Sequence, residues 1–113
     1  MNSYELKFSG RSIELANGIL ELDYPILDAF QLVDKIIVLF HPDAKKYGGQ
    51  FKNLVAMRPN GERIWEAELP TTMSSDAYYR FSSKNPIIAD SLSSFSSTID
   101  DSTGRIVRKE FYK

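Results

Sequence analysis

The chain contains no cysteine. That excludes a disulfide framework, a thiol nucleophile and a cysteine-ligated zinc. It has one histidine, His41, so a multi-histidine metal site is excluded and any imidazole catalysis falls to that residue. Long apolar runs are missing as well. The longest, Ile36 to Phe40, is far too short to cross a bilayer. Residues Met1 to Lys7 alternate polar with apolar and lack the apolar stretch of a signal peptide. With no thiols and no leader, the expectation is a cytoplasmic protein without a membrane partner. Nor is there an excess of one charge. The net charge is −1, which does not indicate a general nucleic-acid binder.

What is present is ordinary for a folded domain. The chain has 113 residues, 42% hydrophobic and 26% charged. Its whole length, 1–113, reads as one domain. The dominant period is two. Tyr4, Leu6 and Phe8 alternate with polar residues, as do Leu20, Leu22 and Tyr24, and Trp65, Ala67 and Leu69. Such alternation marks strands with one wet face. Turn signals separate the runs: Gly10, Asn17-Gly18, Arg58-Pro59-Asn60-Gly61, Lys84-Asn85-Pro86 and Asp101-Ser102-Thr103-Gly104. Pro25 to Val33 admits a short helix starting at Pro25, or a strand that turns at Val33-Asp34 and returns as Lys35 to His41. The strand is favoured, because Ile36 to Phe40 is strongly β-forming and a two-residue turn lets the two runs pair. Residues 41–50 and 70–76 read as loops, and the serine-rich 91–98 as a weak strand. The expected fold is all-β, built of antiparallel hairpins in two small sheets or a partial propeller.

Two segments echo each other about forty residues apart, a blade-sized interval. Each is a strand, a turn ending in Gly, then Arg-Ile and a second strand. The first, Leu54-Val55-Ala56-Met57-Arg58-Pro59-Asn60-Gly61-Glu62-Arg63-Ile64-Trp65, resembles the blade motif of quinoprotein-type propeller repeats. The second, Ile99-Asp100-Asp101-Ser102-Thr103-Gly104-Arg105-Ile106, resembles the same motif with Val107 in place of its Trp. A closed ring needs at least about four blades. The chain is too short for one, so the resemblance implies an incomplete propeller and no quinone cofactor. The whole layout, with its ending Gly104-Arg105-Ile106 to Lys109-Glu110-Phe111-Tyr112-Lys113, is similar to short bacterial immunity proteins. That resemblance implies a non-catalytic protein that neutralises a cognate bacterial toxin, as in contact-dependent inhibition.

Few residues invite chemistry. His41 has no serine, acid or metal partner at a recognisable spacing. A hydrolase built on it is the least favoured reading. Asp90, Asp100 and Asp101 lack the acid ladder and closing Glu of a calcium loop, and Asp101 reads as the first residue of a turn. Gly48-Gly49 beside Lys45, Lys46 and Lys52 invites a phosphate but lacks the ending of a P-loop. Trp65 reads as core. No metal site and no cofactor are expected.

Charge falls in blocks. Residues 1–34 and 64–101 each carry six acids and two bases, and residues 35–63 carry the reverse. Glu21, Asp23, Glu66 and Glu68 alternate with apolar residues and so lie on wet faces. If their strands share a face, they form an acidic patch suited to a basic toxin enzyme. Tyr78-Tyr79 puts one aromatic on each face of its strand, a contact candidate. These six residues are the expected partner-binding set, acting by occluding the toxin's active site. The bland alternative is a solvated surface whose charges pair between neighbouring strands. A propeller-like scaffold or small-ligand module stands as the alternative function. Incomplete sheets also leave edges for self-association.

Overall fold

A computed structural model describes residues 3–45 and 48–112. Lys46, one member of the expected lysine–glycine cluster, lies outside the described residues. Among those described, the chain forms twelve strands in three antiparallel sheets and no helix. The strands are β1 (Tyr4–Glu5), β2 (Phe8–Ser9), β3 (Ser12–Leu15), β4 (Gly18–Glu21), β5 (Ile26–Leu32), β6 (Lys35–Phe40), β7 (Leu54–Met57), β8 (Arg63–Glu66), β9 (Tyr78–Lys84), β10 (Ile87–Ser91), β11 (Phe95–Ile99) and β12 (Ile106–Phe111). The sheets run β1-β5-β6-β7-β8, β12-β11-β10-β9 and β2-β3-β4. The all-β hairpin architecture read from the period of two is the one observed, in three sheets.

The five-stranded sheet is the middle of three layers. One face packs Phe30, Leu32, Ile37, Leu39, Leu54 and Ala56 against Tyr78, Ile87, Ala89 and Ile99 of the four-stranded sheet. The other face packs Ala29, Ile36, Val38, Phe40, Val55 and Met57, with Phe8, Ile13, Leu15 and Leu20 of the small sheet against them. This explains the run Ile36 to Phe40. A strand covered on both faces has no wet side, so its sequence does not alternate. Each of those side chains is stabilised by roughly 1.5–3 kcal/mol of burial. The 26–32 segment is strand β5. It pairs with β6 from Leu32↔Lys35 onward, across the exposed two-residue turn Val33-Asp34.

The turns follow local chemistry. In the β7–β8 hairpin the Gly61 N–H donates to the Arg58 carbonyl at 2.9 Å, and Gly61 takes φ +91°. The β3–β4 hairpin turns on Ala16-Asn17, with Gly18 already paired to Leu15. The β11–β12 turn starts one residue earlier than the sequence suggested. The carboxylate of Asp100, not Asp101, accepts the Ser102 N–H at 2.8 Å, and the Asp100 carbonyl accepts from Gly104 at 2.8 Å. The serine-rich 91–98 segment is cut by a turn at Leu92–Ser94, where Ser94 has φ +72°.

Two devices bolt the large sheets together. Asn53 is fully buried. Its Nδ2 donates to the carbonyls of Phe40 at 2.8 Å and Tyr78 at 2.7 Å, and its Oδ1 accepts the Tyr78 N–H at 2.9 Å. Trp65, on edge strand β8, lies over the β11–β12 turn. Its Nε1 donates to the Asp101 carbonyl at 2.9 Å. A Cβ on Gly104 would lie 2.7 Å from the indole Cε3, so only glycine fits beneath the ring. The two echoing segments thus meet, the Trp of one seated on the Gly of the other.

Candidate interaction surface

The expected acidic patch does not form. Glu21 lies on the small sheet, where it accepts from the Ser12 hydroxyl. Glu66 pairs with Arg63 at 2.7 Å. Glu68 uses its Oε1 to accept the Ile106 N–H at 2.9 Å, while its own N–H donates to the Gly104 carbonyl at 2.8 Å. Asp23 and Glu66 do meet, but in a cleft that also holds Lys45, Lys52 and Arg63. The alternating spacing put these acids on wet faces, and all four are exposed. It could not say that Glu21 and Glu66 belong to different sheets, that Asp23 and Glu68 lie just beyond strand ends, or that cations stand among them.

Tyr78 leaves the contact set. Its side chain is 0% exposed, with the hydroxyl donating to the Glu68 carbonyl at 2.6 Å. Burial pushes its phenol pKa well up. Tyr79 stays half-exposed, its hydroxyl 2.7 Å from that of Tyr112. That hydroxyl pairing, with a little burial, raises Tyr112 to about 12. The Arg80 guanidinium stands 5.3 Å from the Tyr79 ring centroid. Its Nε donates at 2.6 Å to Asp90, a carboxylate only 2% exposed that also accepts from Ser96. That hydrogen bond to Asp90 raises the Arg80 pKa.

Three of the eight exposed large apolar residues found among the described residues lie on and beside β12. Val107 is 63% exposed, Phe111 61% and Tyr112 42%. Phe111 meets Phe95 edge-to-face, with ring centroids 5.4 Å apart, and the Lys109 ammonium lies 5.2 Å from the Phe95 ring. β12 closes the four-stranded sheet, so its outer edge has no strand partner among the described residues. Beside it runs a groove of about 370 Å³, lined by Glu68, Leu69, Pro70, Ile106, Val107, Arg108 and Lys109. The sequence carried one signal of this. Ile106-Val107-Arg108-Lys109-Glu110-Phe111 is strand-length but does not alternate, and unlike Ile36 to Phe40 it is charged in the middle. Such a strand has little to bury on either face, and Ile106 is the residue of it that packs against the core.

The backbone N–H of His41 donates to the Pro25 carbonyl at 3.0 Å, and its imidazole has no hydrogen-bond partner among the described residues. Among the described residues there is also no group of three or more His, Asp or Glu able to hold a metal ion, and no helix long and apolar enough to cross a membrane.

Fold and surface together define a small three-layered β protein with one open, aromatic-tipped sheet edge. The chain belongs to the DUF7957 family, a domain of unknown function, whose family model matches residues 3–111. Neither a curated protein nor a solved structure gives a significant match.

Proposed function

We propose that the protein is a non-catalytic immunity protein that binds and neutralises a cognate bacterial toxin in the cytoplasm by covering its active site. The observation that carries this is β12, six residues long, exposed along nearly its whole length, ending in Phe111 and followed by Tyr112. An unpaired edge beside a groove accepts an extended segment of another chain, whose backbone completes the ladder while side chains fill the groove. Tyrosine, phenylalanine and arginine are the residues that protein contacts favour, and Tyr79, Arg80, Phe111 and Tyr112 supply them at one end of the sheet. The blade-motif resemblance supports the immunity role. The acids first expected to face a basic enzyme are largely engaged within the fold or set among cations, so contact rests on β12 and its aromatic end.

The test is co-purification from the native host, followed by expression of the recovered partner alone and beside this chain. A stoichiometric partner that is toxic alone and harmless in company supports the reading. Within that complex, Phe111→Ala and Val107→Lys should each weaken binding about tenfold or more while leaving the fold intact. Full affinity in both variants would move the interface off β12. Recovery of the chain alone under conditions that induce toxin secretion would overturn the immunity reading.

A further inference from the structure

The Gly48-Gly49 segment and its lysines were singled out by the sequence and are not used by the β12 surface. The fold sets Lys45 and Lys52, two of these three lysines, in a cleft of about 380 Å³ whose lining is Asp23, Tyr24, Lys45, Gln50, Phe51, Lys52, Arg63 and Glu66. Tyr24 and Phe51 supply its aromatic wall, their ring centroids 4.9 Å apart, and the buried Phe40 backs them, 5.4 Å from Tyr24. The Arg63 guanidinium lies 5.9 Å from the Phe40 ring centroid.

The charges in this cleft do not cancel. Arg63 and Glu66 satisfy each other. Lys45 and Lys52 make no ion pair among the described residues, and Asp23 is the one carboxylate left to face them. Gly48 also bears on the site. It takes φ +93°, and a Cβ there would meet Lys45 at 3.4 Å from Cε and 3.7 Å from Nζ. The positive φ, not a shortage of space, is what calls for glycine there, and the loop backbone runs beside the Lys45 side chain. Gln50 is anchored through its Nε2, which donates to the carbonyls of Thr71 at 2.8 Å and Met73 at 2.9 Å. Its amide oxygen accepts no hydrogen bond among the described residues, and Gln50 and Asp23 both line the cleft.

We infer that this cleft is a binding site for a small phosphate monoester that also carries a hydroxyl. Lys45 and Lys52 take the phosphate, as point-charge donors commonly do. Asp23 and the Gln50 oxygen accept from the hydroxyl, and the carbon skeleton rests on Tyr24. The mixed signs select this class. A bare anion meets Asp23 as a repulsive neighbour, whereas a hydroxylated one turns that carboxylate into a partner. The site is separate from β12, so it stands or falls apart from the toxin reading.

The test is an amide NMR titration at constant ionic strength with glycerol 3-phosphate, with inorganic phosphate and with sodium chloride. Glycerol 3-phosphate should give saturable shifts confined to residues around Lys45, Gly48, Lys52 and Arg63, and should bind more tightly than inorganic phosphate. Lys45→Ala and Lys52→Ala should each weaken it about tenfold. Arg58→Ala, in the β7–β8 turn outside the cleft, should not. Asp23→Asn should tighten inorganic phosphate and erase the preference for the glycerol ester. Linear shifts that chloride reproduces, or unchanged affinity in both lysine variants, would overturn the site. Equal binding of the two phosphates by the unsubstituted chain would overturn the hydroxyl part of the assignment.

Discussion

Replacing Asn53 by alanine removes three hydrogen bonds from a fully buried position. The Tyr78 N–H and one lone pair each on the Phe40 and Tyr78 carbonyls then lose their partner. The expected loss is about 3 kcal/mol, read as a lower urea midpoint with unchanged slope. Asn53→Asp should fare no better, since a carboxylate would face two carbonyl oxygens where an amide had donated. A second residue-scale effect depends on pH. Tyr78 releases its proton near pH 10 when unfolded and at a higher pH when folded, because burial disfavours the phenolate. The unfolded state therefore binds fewer protons above that point. Stability should be full below about pH 10 and fall as pH rises beyond it. Tyr112, raised to about 12, adds in the same direction. Tyr78→Phe should flatten part of this decline in thermal melts run across alkaline pH. Gly104→Ala belongs at this scale as well. A methyl 2.7 Å from the Trp65 ring, on a backbone at φ +76°, must push the indole off the turn. The expected readout is a red-shifted fluorescence from the one tryptophan and a loss of about 2 kcal/mol.

Among the strands, the contrast between β6 and β12 is the sharpest. Both are six residues long. Ile37→Ala in β6 empties a fully buried site against the four-stranded sheet and should cost about 2–5 kcal/mol, while Val107→Ala in β12 should change stability by less than about 0.5 kcal/mol. Chemical denaturation of the two variants checks both. The hairpins were legible from their turns because a tip, whether marked by glycine or proline or by a two-residue gap between β-forming runs, acts locally. Leu32↔Lys35 and Lys84↔Ile87 follow directly from Val33-Asp34 and Asn85-Pro86. What joins one hairpin to another was not legible. Trp65 announces a large core side chain, but nothing near it says that Gly104 lies beneath it. Tyr78-Tyr79 announces one face each, but which face is dry depends on Asn53, twenty-five residues away. The four acids show the same gap. Their alternation was readable and their exposure followed, yet the cations beside Asp23 and Glu66 arrive from other parts of the chain.

For the molecule as a whole, three layers imply graded stability. β6 and β7 lie in the middle sheet with neighbours on both sides and apolar cover on both faces. Their amides should exchange most slowly with solvent, near the global unfolding limit. β12 and the two-residue β1 should exchange fastest among the strands. Equal protection in β6 and β12 would contradict this order. The layering also sets a schedule. β5 and β6 are complete by Phe40, and the small sheet that covers one of their faces has already been made. The cover for the other face, β9 to β12, is not finished until Phe111. At typical synthesis rates that interval lasts roughly 4–14 seconds, during which Phe30, Leu32, Ile37 and Leu39 have no second sheet to lie against. A nascent chain of this protein therefore offers a greasy strand surface to its surroundings before its own C-terminal third can claim it. Slow codons placed after β7 would lengthen that exposure and raise the share lost to aggregation, although the finished protein would be identical.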